Sequence, residues 1–245
     1  MTTVICLLTV RPCQKTYEFY KELKRDSDYK VFIVIDDNEH EIPEYDGYVP
    51  IIKLDSKICE ENGYKNCVAT MDNRFTDKAC SRDKALYYFT KEYTDYEHIW
   101  LIEEDVFIPS YKTLKFSDVK YKDNNYDLLS QEHHIVREKR DEWHWKLVDK
   151  NIKVDPPYAK SMICAIRCSR RLMKHIGEYA DKYKNLFLDE ALFNTIAIQN
   201  NLNVGAIPEL HQMKWRLNWH PVHFNKTQML HPMKDIEQQY EFRSI

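Results

Sequence analysis

Ile99-Trp100-Leu101-Ile102-Glu103-Glu104-Asp105-Val106-Phe107-Ile108-Pro109 is a short apolar run that breaks into three consecutive carboxylates and then turns apolar again. Its length and its β-branched and aromatic content are those of a strand, and Pro109 marks the exit. Ionised carboxylates are not buried unpaired, so Glu103, Glu104 and Asp105 must meet a metal ion, basic side chains or water at the strand end. A strand running out into a solvated acidic turn would satisfy the same residues. The rest of the chain decides between the two.

Upstream, Val4-Ile5-Cys6-Leu7-Leu8-Thr9-Val10 stops at Arg11-Pro12, and Val31-Phe32-Ile33-Val34-Ile35 runs straight into Asp36-Asp37-Asn38. Continuous runs of this kind are strands buried on both faces, as in a parallel sheet. Between them Tyr17, Phe19, Tyr20 and Leu23 recur at roughly helical spacing, which makes a β-α-β unit. Open parallel sheets bind ligands beyond the carboxyl ends of their strands, so Thr9, Arg11, Asp36 and Asp37 are candidate ligand contacts by topology. Opening a turn is the competing role for the two aspartates. Residues 48–54 read as a third strand, near an edge because of Pro50, and residues 55–79 as a long polar loop with at most a short helix.

Ser81 reads as the N-cap of a helix that ends about Tyr93, with Ala85, Leu86, Tyr88 and Phe89 on its apolar face. Arg82, Asp83 and Lys84 fall in its first turn. A lysine there opposes the helix dipole, and a bound anion would account for it. The helix leads into the acidic strand, so its cations are expected beside the carboxylates.

Beyond Pro109, residues 126–130 read as a short strand. Gln131-Glu132-His133-His134 and Glu142-Trp143-His144-Trp145 then set histidines and aromatics into a polar stretch, which suits carbohydrate stacking, a lid or plain packing of an excursion. Residues 161–167 read as the next strand, leading through Ser169 into a helix with Leu172, Met173, Ile176 and Tyr179 on one face. The second acidic feature is Leu186-Phe187-Leu188-Asp189-Glu190-Ala191-Leu192-Phe193-Asn194-Thr195-Ile196-Ala197. Asp189 suits an N-cap and Glu190 the first helical turn, and capping alone would explain both. Residues 203–208 read as a short strand, and the tail carries Trp215, Trp219, His220, His223 and His231-Pro232-Met233-Lys234-Asp235 before a final polar helix.

At 245 residues, 43% hydrophobic and 13% aromatic, the chain has ample material for a core and reads as one α/β domain. With 36 basic against 39 acidic residues, the balance disfavours general binding to nucleic acid or membrane surfaces, so any anion site must be local. Four glycines leave no glycine-rich phosphate loop, and bound phosphates would have to be held by cations. The seven cysteines contain no CxxC pair. Cys6 and Cys164 read as core thiols, and Cys59, Cys67 and Cys80 share a polar region in which a disulfide is an option. A reducing, cytoplasmic setting is expected, with no secretory signal and no run near the ~18 apolar residues of a membrane span.

Two buried strands, a helix opening with Asp83-Lys84-Ala85-Leu86, and the strand Trp100-Leu101-Ile102-Glu103-Glu104-Asp105-Val106 together resemble the GT-A fold of nucleotide-sugar glycosyltransferases. The resemblance extends to the glycosyltransferase-like proteins of large DNA viruses and of algae, in which a D-K-A-L helix, a W-x-x-E-D-D-V strand and a late H-P-x-K-D run follow in this order. Glu104 departs from that pattern by replacing the middle Asp. The resemblance implies a single GT-A-type, Rossmann-like α/β domain with a mostly parallel central sheet flanked by helices. Residues 1–109 would be its nucleotide-sugar-binding half and 110–245 its acceptor-binding half.

The same resemblance implies a metal-dependent hexosyl- or pentosyltransferase, acting from a nucleotide-diphosphate sugar on a hydroxyl of a glycan or glycoprotein, in host cytoplasm if viral. Mn²⁺ or Mg²⁺ would be held by Asp105, with Glu103 towards the ribose or a metal-bound water and His231 as a further ligand. Lys84 and Lys234 would help to neutralise the departing diphosphate. The donor site would draw on Thr9, Arg11, Asp36, Asp37, Arg82, Asp83, Lys84, Glu103, Glu104 and Lys234. Residues 188–196 resemble the acidic helix start of branching N-acetylglucosaminyltransferases, which implies Glu190 as general base, with Asp189 in reserve, for an inverting reaction. A retaining reaction needs no such base. Two alternatives stay open: a nucleotidyltransferase or sugar-nucleotide pyrophosphorylase, whose glycine-rich first loop is missing here, and a non-catalytic sugar-binding protein using Trp143, Trp145, Trp215 and Trp219 as stacking platforms.

Overall fold

In the computed structural model, which describes residues 2–37, 39, 41–42, 44–67, 79–136, 143–149, 151–215 and 218–245, the first apolar run forms β1 (Thr3–Thr9), buried along its whole length. The chain crosses through α1 (Gln14–Asp26) into β2 (Lys30–Ile35), which pairs parallel with β1. β3 (Ile51–Lys53) adds in parallel at the edge, just after Pro50. Then come α2 (Ser56–Glu61), β4 (Asn66–Cys67) and α3 (Ser81–Tyr87), which continues as a π-helical stretch over Tyr88–Glu92. β5 (His98–Glu103) lies on the other side of β1, parallel to it, with Glu103 opposite Leu8. The acidic strand is therefore central in the sheet.

The second half contains α4 (Tyr111–Lys120), β6 (Leu128–Ser130), β7 (His134–Val136), α5 (Trp143–Lys146), β8 (Tyr158–Lys160) and β9 (Ala165–Ser169). It ends with α6 (Arg170–Tyr183), β10 (Leu186–Phe187), α7 (Asp189–Gln199), β11 (Val204–Ala206) and α8 (Ile236–Arg243). Among the described residues the main sheet runs β11-β6-β9-β5-β1-β2-β3. All pairings in it are parallel except those of β9, which is antiparallel to both neighbours. The fold is thus α/β and Rossmann-like, with a mostly parallel central sheet flanked by helices.

Side chains alternate across a strand, so each central strand supplies both layers. Val4, Cys6 and Leu8 join Ile99 and Leu101 against Leu86, Leu172, Ile176 and Phe193. Ile5 and Leu7 join Trp100 and Ile102 against Tyr17, Tyr20, Leu23 and Leu114. Burial on both faces is why these strands read as unbroken apolar runs, each large side chain contributing about 1.5–3 kcal/mol. A third, smaller core of Phe107, Trp219, Leu230, Met233 and Phe242 fixes the tail. There Phe107 and Leu230 pair backbone to backbone, and the Met233 amide donates to the Asp105 carbonyl at 2.7 Å. No helix among the described residues is long and apolar enough to cross a membrane.

Several expectations are corrected. The cap of α3 is Cys80 rather than Ser81, because the Asp83 carboxylate, three residues on, accepts the Cys80 amide at 3.0 Å and completes a capping box. Asp189 is the first residue of α7, with Leu188 at the cap position. The strand expected at 161–167 is displaced to Ala165–Ser169: the Ser161 amide is taken by the Glu190 carbonyl at 2.9 Å and its hydroxyl by the Glu132 amide at 3.0 Å. Trp145 and Trp219 are buried and belong to the core, not to a sugar platform. The Trp143 side chain lies outside the described residues. Cys59 and Cys80 are free thiols, so the disulfide option between them is not realised, and the Cys67 side chain also lies outside the described residues.

Candidate active site

β5 ends at Glu103, and the turn that follows sends its three acids to different partners. Glu104 accepts from the hydroxyls of Thr9 at 2.5 Å and Thr16 at 3.2 Å, tying the end of β1 to α1. Burial raises its pKa. Glu103 and Asp105 instead approach His231, brought in by the tail. His231 Nε2 stands 3.4 Å from Asp105 Oδ1 and 4.0 Å from Glu103 Oε2.

The other ring nitrogen, Nδ1, lies 3.2 Å from the Lys214 carbonyl, which can only accept. In the neutral ring the proton therefore sits on Nδ1, and Nε2 turns its lone pair towards two carboxylates. That arrangement is repulsive unless a proton or a cation lies between them. Carboxylates beside an imidazole whose far nitrogen is held by a carbonyl are donor types that suit a divalent ion, although Asp105 is not among the three residues whose donor atoms lie within 4.8 Å of one another. Cys164 Sγ also belongs here: its sulfur and donor atoms of Glu103 and His231 lie within 4.8 Å of one another. Burial pushes this thiol up, and sulfur is a softer donor than oxygen-preferring ions select. In the sequence Cys164 reads as a plain core thiol. Only the pairing of β9 with β5, in which the Glu103 amide donates to the Cys164 carbonyl at 2.8 Å, reveals its place.

Beside this group opens a cleft of about 470 Å³, lined by Thr9, Cys80, Ser81, Arg82, Glu103, Glu104, Asp105, Asp189, Lys234 and Ile236, among others. Arg82, only 3% exposed, links its two acidic features. One guanidinium nitrogen donates to Glu103 at 2.5 Å, and Nε lies 3.0 Å from Asp189 Oδ2. Asp189 Oδ1 accepts from Asn66 at 3.0 Å. The carboxyl of the following residue, Glu190, is pushed well above its ordinary value by burial and then by the Asp189 charge. Glu190 Oε2 has no hydrogen-bond partner among the described residues.

The remaining expected contacts do not line this cleft. Lys84 is fully buried and donates to the carbonyls of Asp36 at 2.7 Å and Ile35 at 3.4 Å. It closes the end of β2, and those carbonyls, not a bound anion, account for a lysine in the first turn of α3. Its Nζ is also 3.8 Å from Asp36 Oδ1, and burial raises the pKa of Asp36. Arg11 pairs with Asp37 at 2.6 Å. Asp83 is occupied by its cap, and burial pushes its carboxyl up to about 7. The cleft thus gathers Thr9, Arg82, Glu103, Glu104, Asp105, Asp189 and Lys234, whereas Arg11, Asp36, Asp37, Asp83, Lys84, Glu190 and His231 are not in its lining.

No protein-family model matches the chain, and no curated protein matches it. Among solved structures it is similar to mouse xyloside xylosyltransferase 1 in its apo form, with 8% sequence identity, 84% of each chain covered and a TM-score of 0.39. At that score the likeness adds nothing to what the residues of the site themselves support.

Proposed function

We propose that this chain is a metal-dependent glycosyltransferase that moves a sugar from a nucleotide-diphosphate sugar to a hydroxyl of a glycan or glycoprotein. The observation that carries the reading is the approach of His231 Nε2 to Asp105 and Glu103, at 3.4 and 4.0 Å, beside a cleft lined by Arg82 and Lys234. Asp105, Glu103 and His231 would hold the ion, and the imidazole favours Mn²⁺ over Mg²⁺, which prefers oxygen ligands. When bound, the ion supplies positive charge for the departing diphosphate. Lys234 and Arg82 add fixed positive charge on the same side.

Glu190 is the base on the acceptor hydroxyl. Asp189 has both oxygens engaged by donors, whereas Glu190 keeps a free oxygen and, through its raised pKa, a higher proton affinity. The acceptor oxygen attacks the anomeric carbon as its proton passes to Glu190, and the nucleoside diphosphate departs into the cleft, which inverts the configuration.

Thermal denaturation with a panel of nucleotide sugars, with and without Mn²⁺, tests the reading. Saturation near 100 times Kd stabilises by about 2.7 kcal/mol, a rise of several degrees in Tm for a chain of this size. That rise is expected only when nucleotide and Mn²⁺ are both present. If no nucleoside diphosphate or nucleotide sugar stabilises the protein under either condition, the reading fails.

A further inference from the structure

We propose that Trp215 is a stacking platform for a pyranose ring of the acceptor, an inference that rests on the glycosyltransferase reading above. Among the tryptophans whose side chains are described, Trp100, Trp145 and Trp219 are at most 3% exposed, whereas Trp215 is 59% exposed. Leaving that much indole in water forgoes a large share of the stabilisation its burial would give.

Its place in the fold is nonetheless fixed. The preceding residue is stitched to the candidate metal ligand from both sides: the Lys214 amide donates to the His231 carbonyl at 3.2 Å, and the Lys214 carbonyl faces His231 Nδ1 at 3.2 Å. Met213 bridges His231 as a neighbouring strand would. The indole stands nearly perpendicular to the His231 ring, at 82°, with centroids 6.4 Å apart, its one ring contact among the described residues. An exposed apolar face is thus held at the rim of the group formed by Glu103, Asp105 and His231.

The chemistry that fits such a face is that of a sugar. One side of a β-linked pyranose presents axial C–H groups, apolar and weakly positive, which complement the negative face of an indole and leave the hydroxyls free for polar groups. The position of His231 puts that sugar on the acceptor side and not on the donor side. His231 contacts the carboxylates through Nε2 and the indole through its ring, so it stands between the two sides.

The test uses the 245-residue chain with indole N–H resonances assigned by single Trp→Phe variants. Titration with cellobiose and with lactose is expected to shift the Trp215 resonance and to leave those of Trp100, Trp145 and Trp219 in place. Trp215→Ala is expected to weaken sugar binding by about fivefold or more, the scale of one aromatic contact, and Trp215→Phe to restore part of it. Affinity for UDP and GDP in the presence of Mn²⁺ should stay within about twofold of wild type in both variants, since no donor contact is removed. A Trp215 resonance that neither disaccharide moves overturns the proposal, as does a loss of nucleotide affinity in Trp215→Ala, which would place the indole on the donor. A wild-type chain that shifts with sugar but binds no nucleotide with Mn²⁺ overturns the transferase reading and the word "acceptor" with it, leaving only sugar stacking.

Discussion

Asp189 and Glu190 are adjacent, yet their surroundings set them apart. Asp189 is tied to Asn66 and Arg82, and the half-buried Glu190 next to it has one oxygen free. Replacing Glu190 by Gln is expected to lower kcat by about 10²–10⁴ while leaving nucleotide affinity in place. The wild-type rate should fall as pH is lowered towards the ordinary carboxylate range, because the raised pKa means that Glu190 takes up its proton early. Glu190→Gln should lose that limb of the pH profile, which steady-state rates across pH would show. At this scale the sequence was readable where a residue's partners are local. The acids at 103–105 and 189–190 announce themselves as clusters in apolar frames. Lys84 misled, because the carbonyls that hold it, at Ile35 and Asp36, lie on a strand far away in sequence. Cys164 gave no signal for the same reason.

Among the elements, the α2–β4 connection shows how a site can depend on a residue that never touches it. Gly63 has φ +85°, and a Cβ there would sit 2.5 Å from the Ala180 carbonyl of α6. Three residues later Asn66 reaches Asp189. Gly63→Ala is expected to cost well over 1 kcal/mol, through strain at positive φ and the clash with backbone. A fall in Tm of several degrees, with lowered transfer activity, would be the sign. Secondary structure was legible wherever the hydrophobic pattern is clear, as in β1, α1, β2 and α6. The direction of β9 was not. A strand buried on both faces is an apolar run whichever way it points, and only its partners decide.

For the molecule as a whole, the candidate metal group exists because the tail returns across the end of β5. The same return buries Phe107, Trp219, Leu230, Met233 and Phe242. Two variants separate these roles. Truncation after Gln228 should lower Tm markedly, since each large side chain uncovered is worth about 1.5–3 kcal/mol, and should abolish Mn²⁺-dependent nucleotide binding. His231→Ala should lose the Mn²⁺ dependence while keeping most of the stability. Isothermal titration beside denaturation curves distinguishes the two outcomes. The pairing of β1 with β2 could be foreseen from the β-α-β pattern, but a contact between the tail and the central strand has no local signature.

The run from the end of β6 to the start of β9 leaves and re-enters the sheet at the same end, because β9 lies antiparallel beside β6. Both feet of that excursion stand on the side where β5 delivers its carboxylates, as the bond from the Glu103 amide to the Cys164 carbonyl records. The run is not independent of the site: its Ala159 amide donates to the Thr195 hydroxyl at 3.0 Å and its Ser161 amide to the Glu190 carbonyl at 2.9 Å, so any displacement of it is transmitted to the helix that carries Asp189 and Glu190.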